Sequence, residues 1–287
     1  MASLILEQAE QARRFRALRF PLHWSVRAGA LSYLALLLLI PLLVIAHDGL
    51  REGPGGLIHA ITLPIAWHAL LLSLWTSLVM TLINAAMGLL TAYVLVRYRF
   101  PGKALLNAVI DLPLAIPSLV TGVMLVVLFG PQQATGAWLN HALGIQIIFA
   151  PPGIILALLF ITFPFVVRAI QPVLEELDRE PEAAAATLGA HPWTIFRRVV
   201  FPALALPLVS GALLSFARGV GEFGAIVIVA GNIPFHTETA AVYVLGEIES
   251  QDQLGASAMS VTLLLISLGL ILLVSRLQRM IATRRFR

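Results

Sequence analysis

The chain has no cysteine and one lysine, Lys103, and only 12% of its 287 residues are charged. Without cysteine there is no disulfide framework, thiolate metal centre or thiol nucleophile. A charge content far below the roughly 25% of soluble domains, set against 59% hydrophobic residues, excludes an ordinary soluble domain and indicates an integral membrane protein. A Gly-x-x-x-x-Gly-Lys-Ser/Thr loop is missing, so the chain has no phosphate-cradling nucleotide site and no ATP chemistry of its own. Its seven histidines form neither an HExxH motif nor a close carboxylate–histidine set. His23, His47, His59, His68, His141 and His236 fall at span edges or in loops, and His191 lies in a turn. No catalytic or metal site is expected, and no bound cofactor. The net charge of +4 does not point to nucleic acid, because the arginines flank hydrophobic runs instead of forming a basic face interleaved with aromatics.

What the chain has is hydrophobic length. A helix needs about 20 apolar residues to cross a hydrocarbon core of about 30 Å. Six stretches meet or approach this, at approximately 28–46, 69–96, 104–129, 152–171, 203–230 and 256–275. The expected fold is therefore an all-α integral membrane protein of six transmembrane helices over 28–275. Before it comes a basic, amphipathic arm over 1–27, suited to a lipid surface and read as uncleaved. After it comes a basic tail over 276–287. Sixteen Lys and Arg residues occupy one set of connections: five in the arm, three over 97–103, three over 172–202 and five in the tail. The alternate connections, 47–68, 130–151 and 231–255, hold only Arg51. The positive-inside rule then puts both termini in the cytoplasm and requires an even number of spans.

Two spans carry features that plain lipid-facing helices do not need. The third reads DLPLAIPSLVTGV from Asp111, and Pro113, Pro117 and Thr121 are spaced by four, on one face of a continuous helix. With Ser118 they either line a pathway or pack against a neighbour beside Gly122. The fifth reads SFARGVGEFGAIV, in which Arg218 and Glu222 are four apart and can pair. An ionisable group at membrane depth costs at least about 2.5 kcal/mol, so such a pair is either a structural pin or part of a path. Gly219, Gly221 and Gly224 weaken the helix at that point and allow unwound backbone to present polar groups. Arg168, at the end of the fourth span, is expected to snorkel to the interface.

One polar stretch interrupts the hydrophobic pattern, EAAAATLGAHPWTIFRRVVFP over Glu182 to Pro202, within a loop of about 175–202. Alanines 183–186 favour helix and Gly189 suits a left-handed stop. Pro192 suits a first helical position, with Trp193, Phe196 and Val200 as an apolar stripe behind it. The product is two short helices at an elbow, a knob either packed on its own protein or fitted to a partner's groove, with Trp193 and Phe196 as its anchors.

This loop resembles the Glu-Ala-Ala, three residues, Gly signature of permease subunits of binding-protein-dependent ABC importers. The resemblance extends through DLPLAIPSLVTGV, FITFPFVVRAIQPVLEEL, ATLGAHPWTIFRRVVFPAL and LSFARGVGEFGAIVIVAGNIPFHTE, about Asp111 to Gln278, and is similar to the T-type permeases of sulfate/thiosulfate importers. Gly221–Ala225 and Gly231–Glu238 are its most specific strings. One departure stands out: the signature glutamate falls at Ala183, with Glu182 one place early.

The resemblance implies a type I importer permease in a bacterial cytoplasmic (inner) membrane, half of a transmembrane dimer with a W-type sister. Two ATPase subunits would use ATP and push the coupling loop, here Glu182, Ala183, Ala184, Gly189, Trp193 and Phe196. An external sulfate-binding protein would dock on a loop with Phe235, Tyr243, Glu247, Glu249 and Asp252. Pro117, Ser118, Thr121, Arg218 and Glu222 are the candidate pathway residues. The alternatives are a molybdate or tungstate permease, a secondary transporter without an ATPase, or a membrane-embedded hydrolase, for which no catalytic residues are apparent.

Overall fold

The structure, a computed structural model, describes residues 26–285, so residues 1–25 of the arm expected over 1–27 and residues 286–287 of the tail lie outside the described residues. Among the described residues every regular element is a helix. In chain order they are α1 (Val26–Gly49), α2 (Gly53–Thr62), α3 (Pro64–Arg97) and α4 (Lys103–Ala115). There follow α5 (Ser118–Phe129), α6 (Ala134–Leu143), α7 (Pro151–Glu175) and α8 (Glu180–Thr187). The remainder are α9 (Pro192–Val220), α10 (Gly224–Ala230), α11 (Ala240–Glu249) and α12 (Gln253–Arg285).

Helices α1, α3, α7, α9 and α12 are each long and apolar enough to cross a membrane, and α4 with α5 makes a sixth crossing if that bent pair is one span. The expected spans thus correspond to helices, with differences at their ends and breaks. The fifth begins at Pro192 instead of 203 and stops at Val220, and the rest of the expected run is the separate helix α10. The connections 47–68, 130–151 and 231–255 carry the short helices α2, α6 and α11. Proline at the first position opens α3, α7 and α9, where the missing N–H costs nothing.

The centre of the bundle is α3 packed on α7 and α9. At the end carrying α8, the core is Ala92, Leu95, Val166, Val167, Ile170, Leu174, Val200 and Leu204. Midway it is Leu72, Met80, Ile154, Leu158, Ile226 and Val242, and at the opposite end Ala66, Leu70, Ala240, Tyr243 and Met259. Lipid tails are as apolar as leucine, so apolar burial alone does not hold membrane helices together; close packing and polar contacts do. One face of α3 supplies them. Ser73, Thr76, Ser77, Met80, Thr81 and Asn84 are all buried, and Asn84 Nδ2 donates to Thr162 Oγ1 of α7 at 2.9 Å. Outside this centre, α1 lies against α12 and leaves Leu36, Leu39 and Leu43 exposed to the lipid side.

Candidate functional site

The third span is not continuous. Pro117 disfavours the helical region for the residue before it, and Ile116 is accordingly extended, at φ −81° and ψ 129°. Pro117 itself turns away with ψ 134°, and α4 and α5 meet at 110°. The expectation that Pro113, Pro117 and Thr121 share one helical face is therefore corrected, since the break falls between Pro113 and Thr121. A second break separates α9 from α10. Here Gly221 follows the last residue of α9, and Glu222 and Phe223 lie between the helices, as the glycine cluster led us to expect.

The two breaks come together because α10 packs on α5. Gly224, the first residue of α10, lies directly against the Ser118 hydroxyl at the first residue of α5, and a Cβ at Gly122 would stand 2.8 Å from the Ala225 carbonyl oxygen. Larger residues at either glycine would separate the helices. The starts of two half-helices thus adjoin, and the first turn of α5 leaves amides without an intrahelical acceptor. Thr121, one turn into α5, is buried with its hydroxyl unpartnered.

Beside this junction stands the Arg218–Glu222 pair, with Nη1 to Oε2 at 2.6 Å. The pair forms although Glu222 lies beyond the end of α9 and not on one continuous helix, because the backbone makes a tight turn in which the Glu222 amide donates to the Gly219 carbonyl at 3.1 Å. Glu222 Oε1 also accepts from the Ala225 amide at 3.1 Å. The carboxylate is sealed, at 1% side-chain exposure, whereas the Arg218 side chain is 40% exposed.

Arg168 behaves differently, and the expectation that it snorkels is corrected. Its Nε and Nη2 donate to the two carboxylate oxygens of Asp111 at 2.7 and 2.6 Å, and Nη2 also reaches the Asn107 carbonyl at 3.0 Å. Its Nη1 serves the side chains of Asn107 at 2.9 Å and Gln171 at 2.5 Å. All five N–H groups are engaged, so Arg168 clamps α4 to α7 and has no donor left for a ligand. Arg218 has no partner but Glu222 among the described residues.

The knob has the expected outline. Alanines carry α8, and Gly189 ends it at φ +79°, a conformation glycine adopts without strain. Pro192 then opens α9 with His191 as cap, its Nδ1 accepting from the Trp193 amide at 3.3 Å. Ala183, Ala184, Ala186, Thr187 and Leu188 are exposed, leaving the outer face of α8 uncovered among the described residues. Glu182 points the other way and pairs with Arg97 at the end of α3, whose side chain is only 8% exposed. On α8, position 183 thus faces outward and position 182 inward. The anchoring also differs from expectation. Phe196 is the anchor, edge-on to Tyr93 of α3 at 5.4 Å, while Trp193 stacks on Phe196 and remains 63% exposed. A groove of about 400 Å³ runs between Leu90, Tyr93, Tyr98, Pro192, Trp193 and Phe196.

At the opposite end Phe235 projects, 56% exposed, and Glu249 and Asp252 are exposed. Tyr243 does not belong to that surface. It is buried against α3 and α12, with its hydroxyl bonded to Glu247, and burial pushes its pKa far above the usual tyrosine range, reinforced by that carboxylate. Glu238 is also buried, with Oε2 unpartnered, and its pKa is raised by burial first and by Glu247 second. Among the described residues no His, Asp and Glu side chains converge as a metal site.

The sequence reading missed Arg97 as the partner of Glu182 and Asn107 and Asp111 as partners of Arg168, because contacts 57 to 85 residues apart leave no local signal. It also missed the buried polar face of α3, which did have a signal in the helical spacing of Ser73, Ser77, Met80 and Asn84.

The chain belongs to the family described as the binding-protein-dependent transport system inner membrane component, which matches residues 84–287. Its relatives narrow this further. It is 42% identical over 251 residues, 88% of each chain, to a probable sulfate transport system permease protein cysT of Nephroselmis olivacea. It is 40% identical over 249 residues to the sulfate transport system permease protein CysT of Escherichia coli (strain K12), covering 87% of this chain and 90% of that one. In fold it is similar to a chain of the bacterial alginate ABC transporter solved with its alginate pentasaccharide-bound periplasmic protein, with a TM-score of 0.75, 14% identity and coverage of 92% and 96%.

Proposed function

We propose that this chain forms half of the transmembrane pathway of an ATP-driven importer for sulfate or thiosulfate. A separate ATPase would drive it through the 182–202 loop. The observation that carries this reading is a half-exposed arginine, Arg218, beside the adjoining starts of α5 and α10, within a chain about 40% identical to sulfate transport permeases. A dianion crossing this point meets a guanidinium with free donors and the amides that open α5, with the Ser118 hydroxyl beside them. Such contacts are weak enough to leave, as conduction requires.

In the same reading α8 fits the groove of an ATPase through its small, exposed alanine face, and Gly189 and the Phe196–Tyr93 contact transmit its displacement to α3 and α9. The sister subunit is a W-type permease. The surface with Phe235, Glu249 and Asp252 receives a substrate-binding protein, and the arginine distribution puts the termini and the knob in the bacterial cytoplasm. Uptake of radiolabelled sulfate tests this in cells lacking their own sulfate permeases, supplied with this chain and its neighbouring genes. Uptake competed by thiosulfate and abolished by Gly189→Asp, at unchanged membrane level, is the expected result. An assembled complex that takes up molybdate but not sulfate overturns the substrate.

A further inference from the structure

Among the described residues, and apart from Arg97–Glu182 at the knob, two arginine–carboxylate pairs are built in opposite ways. In the Arg168–Asp111 pair every guanidinium donor is used and the carboxylate is the more open partner, at 47% exposure against 30%. That arrangement fastens two helices. In the Arg218–Glu222 pair the guanidinium is 40% exposed and the carboxylate 1%. Glu222 cannot meet solvent, a ligand or a partner chain directly. Its second oxygen is occupied by the Ala225 amide, so its charge reaches the open side of the pair only through Arg218.

We propose that Glu222 is a release-setting counter-ion: its sealed negative charge cancels that of Arg218, so a divalent oxyanion touches the exposed side of the guanidinium without being trapped there. The inference rests on the reading that the transported anion meets Arg218, and it assigns Glu222 a role that contact with substrate does not explain. The physical reason is the weak screening at this depth. A bare guanidinium in a low-dielectric surrounding attracts a dianion far more strongly than in water, which favours binding and slows escape. A permanent carboxylate on the hidden side of the same guanidinium lowers that attraction while leaving the donors in position. Because Glu222 also holds the start of α10, the guanidinium, its counter-charge and the α5–α10 junction keep a fixed geometry.

Glu222→Gln removes the charge at nearly constant shape: its single amide oxygen can still accept from the Ala225 N–H, while the NH2 that replaces the second oxygen cannot accept from Arg218. The test compares wild type, Glu222→Gln, Arg218→Gln and the double variant in the complex purified with its ATPase. It reads radiolabelled sulfate retained without the binding protein, and maximal ATP-driven uptake in proteoliposomes with it. Glu222→Gln is expected to retain sulfate several-fold more tightly and to turn over several-fold more slowly. The double variant should lose the tighter retention and resemble Arg218→Gln. If Arg218→Gln changes neither quantity, the underlying reading of the path fails. If Arg218→Gln weakens retention but Glu222→Gln leaves it unchanged, the counter-ion role alone is overturned. Failure of both Glu222 variants to assemble assigns this carboxylate to folding and also overturns it.

Discussion

Glu182 and Ala183 illustrate how one position decides a side chain's role. On α8 adjacent residues point about 100° apart, so moving a carboxylate by one place turns it from the outer face to Arg97. The Arg97 side chain is almost wholly enclosed, and its Nε already lacks a partner, so removing Glu182 leaves a buried charge uncompensated. Glu182→Ala should cost about 3 kcal/mol, the lower end for breaking a buried pair. Arg97→Met with Glu182→Ala should recover most of that, and thermal unfolding of the purified complex checks it; equal loss in single and double variants would contradict the pairing. At the other end of the bundle Glu238 is held above its usual pKa of 4.5 by burial and by Glu247. The folded protein then keeps a proton that the unfolded chain releases. The stability from this group is fully present below 4.5 and is lost as pH rises through the folded value. Glu238→Gln should raise the melting temperature at neutral pH, and the gain should shrink as the pH falls toward 4.5. A gain that does not vary with pH would mean ionisation is not its source.

Hydrophobic run length was enough to locate the spans, because crossing a bilayer demands it whatever the tertiary contacts. Local chemistry was enough for the knob as well: alanines, a glycine at φ +79° and a proline at N1 act within a few residues. The breaks were only half legible. Glycines foretold the gap between α9 and α10, but Pro117 was read as lying within one continuous helix, whereas the helix breaks there and turns by 110°. That distinction depends on α10 lying against α5, a packing relation that span-by-span reading does not contain. The same limit hid the partners of Arg97 and Arg168 and misjudged Tyr243, which α3 and α12 bury, and Trp193, which is left exposed against Phe196. The α5–α10 contact makes its own prediction. A methyl at Gly224 meets the Ser118 hydroxyl, an overpacking of about 1–3 kcal/mol, so Gly224→Ala should reduce uptake and Ser118→Gly should restore part of it. Normal uptake by Gly224→Ala alone would mean that the two half-helices need not touch.

For the whole molecule, a rigid centre of α3, α7 and α9 joins the outward-facing knob at one end to the exposed loop at the other. The bent α4–α5 pair and the break between α9 and α10 adjoin that centre. On the proposed coupling, movement of α8 would pass through Phe196 and Tyr93 and along α9 to the turn that carries Arg218 and Glu222. The most direct test is ATP-driven accumulation of radiolabelled sulfate in proteoliposomes containing this chain with its sister permease, ATPase and binding protein, with molybdate as competitor. Accumulation should require ATP, be competed by thiosulfate more strongly than by molybdate, and fall sharply with Arg218→Gln. Sulfate accumulation that needs no ATPase, or a complex that accumulates only molybdate, would contradict the proposed function.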